Sequence, residues 1–164
     1  MGNMVDVKDV SVSEILKQKY VALNLESTEK DNLLAELVDI VATSGKVKNK
    51  KALLTAVLER EKLGSTGLGN GVGIPHTKVD AVKEPILVFG RAQGGVDFNS
   101  LDGGPTYIFF MLISPKEEVG RHLKILARIS HIIKDKFTIN LLKKAKTQGD
   151  IVKIIQDAEK HLDR

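Results

Sequence analysis

Residues 106–114 read TYIFFMLIS, a nearly continuous run of aromatic and aliphatic side chains that Pro115 brings to an end. A strand with one solvated face alternates apolar and polar residues, whereas an unbroken apolar run is typical of a strand covered on both faces. Proline cannot continue a central strand because it has no N–H group to donate. The run therefore predicts a central strand with other layers of structure above and below it.

Two further strands and a short helix are predicted upstream of this run. Residues 85–92, PILVFGRA, have a similar apolar character, and the glycine-rich residues 93–105 predict a loop between the two strands. Residues 20–25, YVALNL, alternate apolar and polar positions, which indicates a short strand. Residues 11–20 favour a first helix ahead of it.

Two longer helices are predicted between the short strand and the glycine-rich part of the chain. The first opens with a capping signal, in which Asp31 follows Thr28 by three residues, and it stops at Gly45. The second has Asn49 as its candidate N-cap and Gly64 as its end. Leucines and valines at helical spacing give each of them an apolar stripe.

Three helices are predicted after the central strand, over residues 117–135, 137–146 and 150–162. Helices therefore lie on both sides of the strands in chain order, which favours a sheet covered by helices on both faces. We predict an α/β fold of the three-layer α/β/α sandwich type, in a single domain that spans residues 1–164.

The bulk composition narrows the class of protein further. Of the 164 residues, 42% are apolar and 28% are charged, as in an ordinary globular domain. The chain has no cysteine, which excludes disulfide bonds and thiolate metal sites. No apolar run approaches the roughly 20 residues of a membrane span, and the first residues lack the pattern of a signal peptide. We therefore expect a cytoplasmic protein that is not inserted in a membrane.

The charge distribution does not indicate a nucleic-acid-binding protein. The net charge is only +4, and basic side chains concentrate at residues 46–51 and 141–146. Such runs are usually solvated surfaces. An aromatic content of 4% also leaves few side chains on which bases could stack. Nucleic acid is therefore not predicted as a partner.

The stretch GSTGLGNGVGIPHTK, residues 64–78, matches none of the common phosphate-binding motifs. A dinucleotide motif needs glycine where Val72 or Ile74 stands, and no Gly-Lys-Ser or Gly-Lys-Thr sequence follows for a nucleotide P-loop. His76 has only Asp80 at a ligand spacing, and one such pair does not make a metal site. We therefore predict no metal and no cofactor.

The same stretch is suited to presenting one imidazole beside an anion. Pro75 restricts the backbone just before His76, and the alternating glycines allow tight turns whose amides can form an anion-binding nest. Arg60, in the last turn of its helix, and the hydroxyls of Ser65 and Thr66 add further donors. A nucleophilic imidazole beside such donors is suited to carrying a phosphoryl group.

The sequence around this stretch resembles that of a known family. REKLGSTGLGNGVGIPH, residues 60–76, is similar to the active-site signature of the type-2 enzyme IIA domains of the bacterial phosphoenolpyruvate:sugar phosphotransferase system. The segments GVDFNSLDGGP, FFMLISP and GRHLKILARIS extend the resemblance over nearly the whole chain. Two positions depart from the usual pattern: the family commonly has alanine where Gly73 stands, and glycine, alanine or cysteine where Thr77 stands.

The resemblance implies a fold and a set of roles. The family fold is a mixed β-sheet between helices. His76 matches the phosphorylated histidine, His122 the second active-site histidine and Arg60 the arginine that contacts the phosphate. The remaining phosphate-binding candidates match the surrounding loop, and they are Ser65, Thr66, Gly71 and Gly73.

The resemblance also implies partners, and it leaves two functions open. The first is a phosphocarrier that accepts a phosphoryl group from phospho-HPr on His76 and passes it to an enzyme IIB for fructose-type sugar uptake. The alternative is a nitrogen-regulatory enzyme IIA, which would take its phosphate from the nitrogen-branch counterpart of HPr and control regulatory target proteins. A binding domain without catalysis is disfavoured because both histidines are present. Leu68, Val72 and Ile74 are candidates for an apolar docking face, although core packing would use the same residues.

Overall fold

The computed structural model describes residues 11–163, so the first ten residues and Arg164 of the predicted domain lie outside it. Among the described residues, a mixed six-stranded sheet is flanked by helices, as predicted. The helices are α1 (Val12–Ile15), α2 (Lys30–Ala42), α3 (Lys50–Leu63), α4 (Val119–Ile133), α5 (Lys136–Lys144) and α6 (Gln148–Leu162). The strands are β1 (Val21–Ala22), β2 (Gly67–Gly69), β3 (Val72–Gly73), β4 (His76–Val79), β5 (Ile86–Val96) and β6 (Thr106–Pro115).

The strand β6 is the centre of the sheet, as its apolar sequence predicts. It pairs antiparallel with β5 on one side and parallel with β3 and β4 on the other. Every residue of β6 except Tyr107 is buried. Such burial on both faces explains why the strand shows no alternation of apolar and polar side chains.

The two faces of β6 pack against different helices. Phe109 lies opposite Gly90 of β5. A methyl group added to Gly90 would stand only 2.7 Å from the side chains of Leu25 and Leu37, so α2, which contains Leu37, approaches the sheet closely there. On the other face, Ser114 contacts His122 of α4. Because side chains alternate along a strand, the even-numbered residues of β6 face α4.

The strands β3 and β4 lie end to end along the same side of β6, and β2 pairs with the outer side of β3. They pair with β6 in the same register, Val72 opposite Ile108 and His76 opposite Leu112, so they are two pieces of one line of chain interrupted at Pro75. Among residues 11–163, no strand pairs with the outer side of β4. This open edge lies where the end of α3 and the start of α4 meet the sheet.

Several local predictions are confirmed by the structure. Asn49 caps α3 by accepting a hydrogen bond from the N–H of Ala52, and Gly64 is the C-cap of the same helix. The three predicted C-terminal helices are all present. These features depend on neighbouring residues, which is why the sequence alone predicts them.

Other local predictions are wrong. The predicted helix over residues 11–20 is broken into α1 and a 3-10 turn at Gln18–Tyr20, and the predicted strand over residues 20–25 shortens to β1. The residues ahead of α2 are instead fixed by Glu36, whose carboxylate accepts from the N–H groups of Glu26 and Ser27.

The predicted boundaries of α2 are also incorrect. Thr28 does not cap this helix, because its N-cap position is Glu29 and no side chain caps it there. The helix ends at Ala42, ahead of the expected stop at Gly45, whose φ of +72° belongs to the turn that follows.

Candidate active site

His76 begins the edge strand β4, directly after Pro75. Its ring nitrogen Nδ1 lies 2.6 Å from the carbonyl oxygen of Ile74. A carbonyl oxygen can only accept a hydrogen bond, so the ring hydrogen of neutral His76 sits on Nδ1 and is donated to it. The other ring nitrogen, Nε2, therefore keeps an unshared electron pair. Because the side chain is partly exposed, a ligand can reach His76, which makes it a candidate nucleophile.

His122 lies in the first turn of α4, shortly after the end of β6. Its side chain is only 3% exposed, and its Nδ1 lies 2.7 Å from the hydroxyl oxygen of Ser114. The ring centroids of His122 and His76 are 5.7 Å apart, with the ring planes tilted by 50°. The structure thus brings together the two histidines that the resemblance singles out.

Arg60 reaches the same place from the last turn of α3. Its Nη1 donates to the carbonyl oxygen of Gly64 over 3.0 Å. Arg60 and His76 line one cavity of about 230 Å³ at the sheet edge. The other residues that line the cavity are Ser65, Thr66, Leu68, Ile74, Leu126 and Ser130.

Ser65 and Thr66 line the cavity, but their hydroxyl groups already have partners. Ser65 donates to the carbonyl oxygen of Phe98 over 2.8 Å and accepts from the N–H of Gly67. The hydroxyl and the N–H of Thr66 both donate to the buried carboxylate of Glu61, at 2.7 and 2.9 Å. In this state the two residues shape the cavity wall through these bonds.

Gly71 and Gly73 lie in the β2–β3 hairpin and are not among the residues that line the cavity. Gly71 has a φ of +81°, and a side chain there would meet Tyr107 at 3.1 Å. A methyl group on Gly73 would meet Phe98 and Phe109 at 3.5 Å, an ordinary van der Waals distance. The alanine that the family commonly has at position 73 would therefore fit.

Electrostatics keep both imidazoles neutral near pH 7. Burial lowers the pKa of His76, the hydrogen bond to Ile74 raises it in part, and the charge of Arg60 lowers it again. Glu61 has a smaller raising effect and Lys78 a smaller lowering effect on the same pKa. Burial, followed by the charges of His76 and Lys78, lowers the pKa of His122 to about 4. Positive charge at the site therefore comes from Arg60 and Lys78.

Lys78 is a candidate site residue that is not predicted from the sequence. It lies two residues after His76 on β4, so the two side chains share one face of the strand. It pairs in register with Ser114, whose hydroxyl contacts His122. The alternation of a strand would indicate Lys78, but the glycines ahead of His76 predict turns and not a strand. Thr77 faces the opposite side of β4, away from the two histidines.

The apolar candidates for a docking face separate into two groups. Val72 and Ile74 are buried, whereas Leu68 is 45% exposed. On α4, Val119 and Leu123 lie on either side of His122 in sequence and are 44% and 58% exposed. Exposed apolar side chains thus occur in the cavity that contains His76, at Leu68, and beside His122 in the sequence of α4.

Within residues 11–163, no three histidine or carboxylate side chains lie close enough together to hold a metal ion. In the same part of the chain, no helix combines the length and the apolar character that crossing a membrane requires.

The fold and the site define a class of protein: an α/β/α domain with a mixed sheet and a pair of neighbouring histidines at the sheet edge. The family model described as "Phosphoenolpyruvate-dependent sugar phosphotransferase system, EIIA 2" matches residues 14–158. The chain belongs to this family.

Similar proteins carry two kinds of name. The fructose-specific EIIA component of Haloferax volcanii is 37% identical, over 76% of this chain and 80% of its own length. The fructose-specific EIIABC component of Bacillus subtilis is 35% identical over 92% of this chain, which spans only 24% of that longer protein. The crystal structure of the nitrogen regulatory protein IIA-Ntr from Neisseria meningitidis superposes with a TM-score of 0.83 and 29% identity, over 88% of this chain and 98% of its own.

Proposed function

We propose that the protein is a phosphocarrier that accepts a phosphoryl group from phospho-HPr on His76 and passes it to an enzyme IIB of a fructose-type system. The observation that carries this proposal is the state of His76: an accessible imidazole whose Nδ1–H is bonded to Ile74 and whose Nε2 keeps its electron pair. A phosphoryl acceptor needs such a nucleophile and little other covalent chemistry.

The transfer needs no proton to be removed from the attacking nitrogen. The electron pair of Nε2 attacks phosphorus in line, the new N–P bond forms, and the N–P bond to the donor histidine breaks. The donor imidazole leaves with the electron pair of the broken bond. The His76 ring becomes more positive as the bond forms, and the carbonyl of Ile74, 2.6 Å from Nδ1, stabilises that charge. In the second transfer an acceptor side chain of enzyme IIB attacks phosphorus and forms the new bond, the N–P bond to His76 breaks, and its electron pair returns to Nε2.

Positive and hydrogen-bonding groups around His76 would hold the phosphoryl oxygens. Arg60 lines the cavity beside His76, and its guanidinium has the geometry for two parallel hydrogen bonds to a phosphate. Lys78 adds a second cation on the same face of β4. The proposed phosphate-binding residues also include Ser65, Thr66 and the glycine loop with Gly71 and Gly73. To bind the phosphate, these residues would have to exchange existing contacts for the ligand.

The exposed apolar residues around the site suit a relay in which partners bind and leave. Leu68, Val119 and Leu123 would contact the partner, while the charged residues at the rim orient it. An apolar centre with a charged rim is an arrangement common to transient protein interfaces.

The choice of a fructose-type relay is supported by the printed names of the relatives from Haloferax volcanii and Bacillus subtilis. The nitrogen-regulatory alternative is favoured by one observation, the superposition on IIA-Ntr over nearly all of that chain. Both functions would use the same phosphorylated His76, and they differ in what the phosphoprotein meets next.

A labelled-phosphate transfer assay tests the proposal. The wild-type protein is mixed with phospho-HPr that carries radioactive phosphate, and His76→Ala is compared with His131→Ala, which changes an exposed histidine of α4. We expect His131→Ala to be labelled like the wild type and His76→Ala to stay unlabelled. Label on His76→Ala would refute the assignment. Addition of a fructose-type enzyme IIB should then discharge the label, whereas a nitrogen-regulatory protein would retain it.

A further inference from the structure

Ser114 lies beneath the site and contacts only one of its residues. Its side chain is fully buried in β6, and its hydroxyl oxygen lies 2.7 Å from Nδ1 of His122. Among the described residues, this ring nitrogen is the hydroxyl's one hydrogen-bond partner. The hydroxyl hydrogen of Ser114 therefore has a single acceptor available to it.

The direction of this hydrogen bond follows from burial. If Nδ1 of His122 carried a hydrogen and donated it, the hydroxyl hydrogen of Ser114 would be buried without an acceptor, which costs free energy. If Ser114 donates, both groups are satisfied and the ring hydrogen of His122 must sit on Nε2. The doubly protonated ring is disfavoured near pH 7 because the pKa of His122 is about 4.

We propose that Ser114 is a positioning residue that holds His122 in the Nε2–H tautomer, so that the neutral ring donates a hydrogen bond to the phosphoryl group on His76. Only the second half of the proposal, the hydrogen bond from His122 to the phosphoryl group, rests on the proposed phosphocarrier function. Its first half concerns the unphosphorylated protein and stands on the burial of Ser114 and on the 2.7 Å contact.

The two histidines then have opposite tautomers, which fits opposite tasks. His76 has its hydrogen on Nδ1 and an electron pair on Nε2, as a nucleophile needs. His122 has its hydrogen on Nε2, as a donor to anionic oxygens needs. With the other tautomer, His122 would present an electron pair to a phosphoryl group that is itself negatively charged.

The register of the sheet explains why Ser114 can act here. Ser114 lies opposite Lys78, and Leu112, two residues earlier on the same face of β6, lies opposite His76. Ser114 is therefore under the start of α4, where His122 is located. The residue acts through His122 and not by touching the phosphoryl group.

The tautomer can be measured directly on the unphosphorylated wild-type protein, without any partner. Long-range proton–nitrogen correlation spectra of ¹⁵N-labelled protein near pH 7 distinguish a protonated ring nitrogen from an unprotonated one. We expect hydrogen on Nε2 of His122 and on Nδ1 of His76. Hydrogen on Nδ1 of His122 would overturn the proposal, whatever the outcome of the phosphate transfer assay.

The functional half is tested by the rate of phosphoryl transfer from phospho-HPr. Ser114→Ala should slow transfer about fivefold, the equivalent of roughly 1 kcal/mol for one hydrogen bond. Ser114→Thr, which keeps the hydroxyl, should stay within about twofold of the wild type. An unchanged rate in folded Ser114→Ala, or a Ser114→Thr protein as slow as Ser114→Ala, would contradict the proposal.

Thr106→Val is the matched control for these variants. Thr106 is a fully buried residue at the other end of β6, and its hydroxyl has no hydrogen-bond partner. The change removes a hydroxyl from the same strand without breaking a hydrogen bond. We expect its transfer rate and the spectrum of His122 to match those of the wild type. A fivefold loss of rate in Thr106→Val would mean that the effect of Ser114→Ala comes from general repacking of β6.

Discussion

Two polar clusters contact α4, and their charges are arranged in opposite ways. In the first, Arg128 donates to Glu159 over 2.7 Å and to Asp163 over 2.7 and 2.8 Å, so α4 is joined to α6 by matched charges. In the second, around His76 and His122, the cations are Arg60 and Lys78. Among residues 11–163, neither of these two cations forms an ion pair.

The difference distinguishes a structural cluster from a candidate binding site. Glu159 also accepts from the N–H groups of Val12 and Ser13, so one buried carboxylate holds α1, α4 and α6 together. Buried charges are stable only when they are paired in this way. Near His76, Arg60 is partly exposed and Lys78 is exposed, and neither forms an ion pair among residues 11–163, so they can neutralise an anion that arrives from outside.

The largest effect is expected from breaking the matched cluster. Glu159→Ala leaves Arg128 without its buried partner and the start of α1 without its acceptor, so the free energy of unfolding should fall by about 3–5 kcal/mol. Urea unfolding measures it, with Glu14→Ala, an exposed residue of α1, as the control. Labelling of the folded fraction by phospho-HPr should be unchanged. A loss below about 1 kcal/mol would show that the cluster does not hold the helices together.

The second effect concerns the dependence of stability on pH. The pKa of His122 is about 4 in the folded protein and about 6.5 when unfolded. Between these pH values the unfolded chain binds a proton that the folded chain excludes, so stability falls as the pH falls through this window. The stability contributed by neutral His122 is fully present above the unfolded value.

As the pH falls from roughly 6.5 to 4, the unfolding free energy of the wild type should decrease because of His122. In His122→Gln this decrease should be smaller by up to about 3 kcal/mol. A smaller slope should remain, because burial also lowers the pKa of His76. Urea unfolding of both proteins across this range measures the difference. Equal slopes in the variant and the wild type would mean that His122 is not held neutral by the fold.

The smallest effect is expected from removing one unpaired cation. Lys78→Met should slow phosphoryl transfer about fivefold, because an exposed charge near a phosphate contributes on the order of 1 kcal/mol. The unfolding free energy should change by less than about 0.5 kcal/mol. NMR titration should show the pKa values of His76 and His122 both rising.

Lys83→Met is the matched control, since it removes another exposed lysine from the loop before β5. It should leave both the transfer rate and the two histidine titrations unchanged. If Lys78→Met and Lys83→Met behave alike, only the overall net charge matters and Lys78 has no special role at the site.

The sequence predicts those parts of the fold that depend on near neighbours. Asn49 and Gly64 bound α3 because a cap and a stop act within one turn of helix. The apolar run of β6 predicts a strand covered on both faces because consecutive residues of the run are apolar and buried. Thr28 is predicted incorrectly as a cap, since the residues before α2 are held by Glu36, a residue further along the chain.

In the candidate site, too, some residues are predictable from the sequence and others are not. His76 is recognisable from the proline before it and the glycines upstream, and Arg60 from its place at the end of α3. Lys78 could have been found from strand alternation once β4 was recognised. Ser114 could not be found, because in sequence it is only the polar end of an apolar run.

The sequence by itself determined the candidate nucleophile, the central strand and the ends of α3, because backbone conformation and periodicity depend on short-range interactions. Only the tertiary structure decided which nitrogen of each imidazole carries hydrogen, that Lys78 lies close to the histidines and how far the pKa of His122 falls. Those properties arise from desolvation and from hydrogen-bond partners, and β6 and α4 supply both from distant parts of the chain.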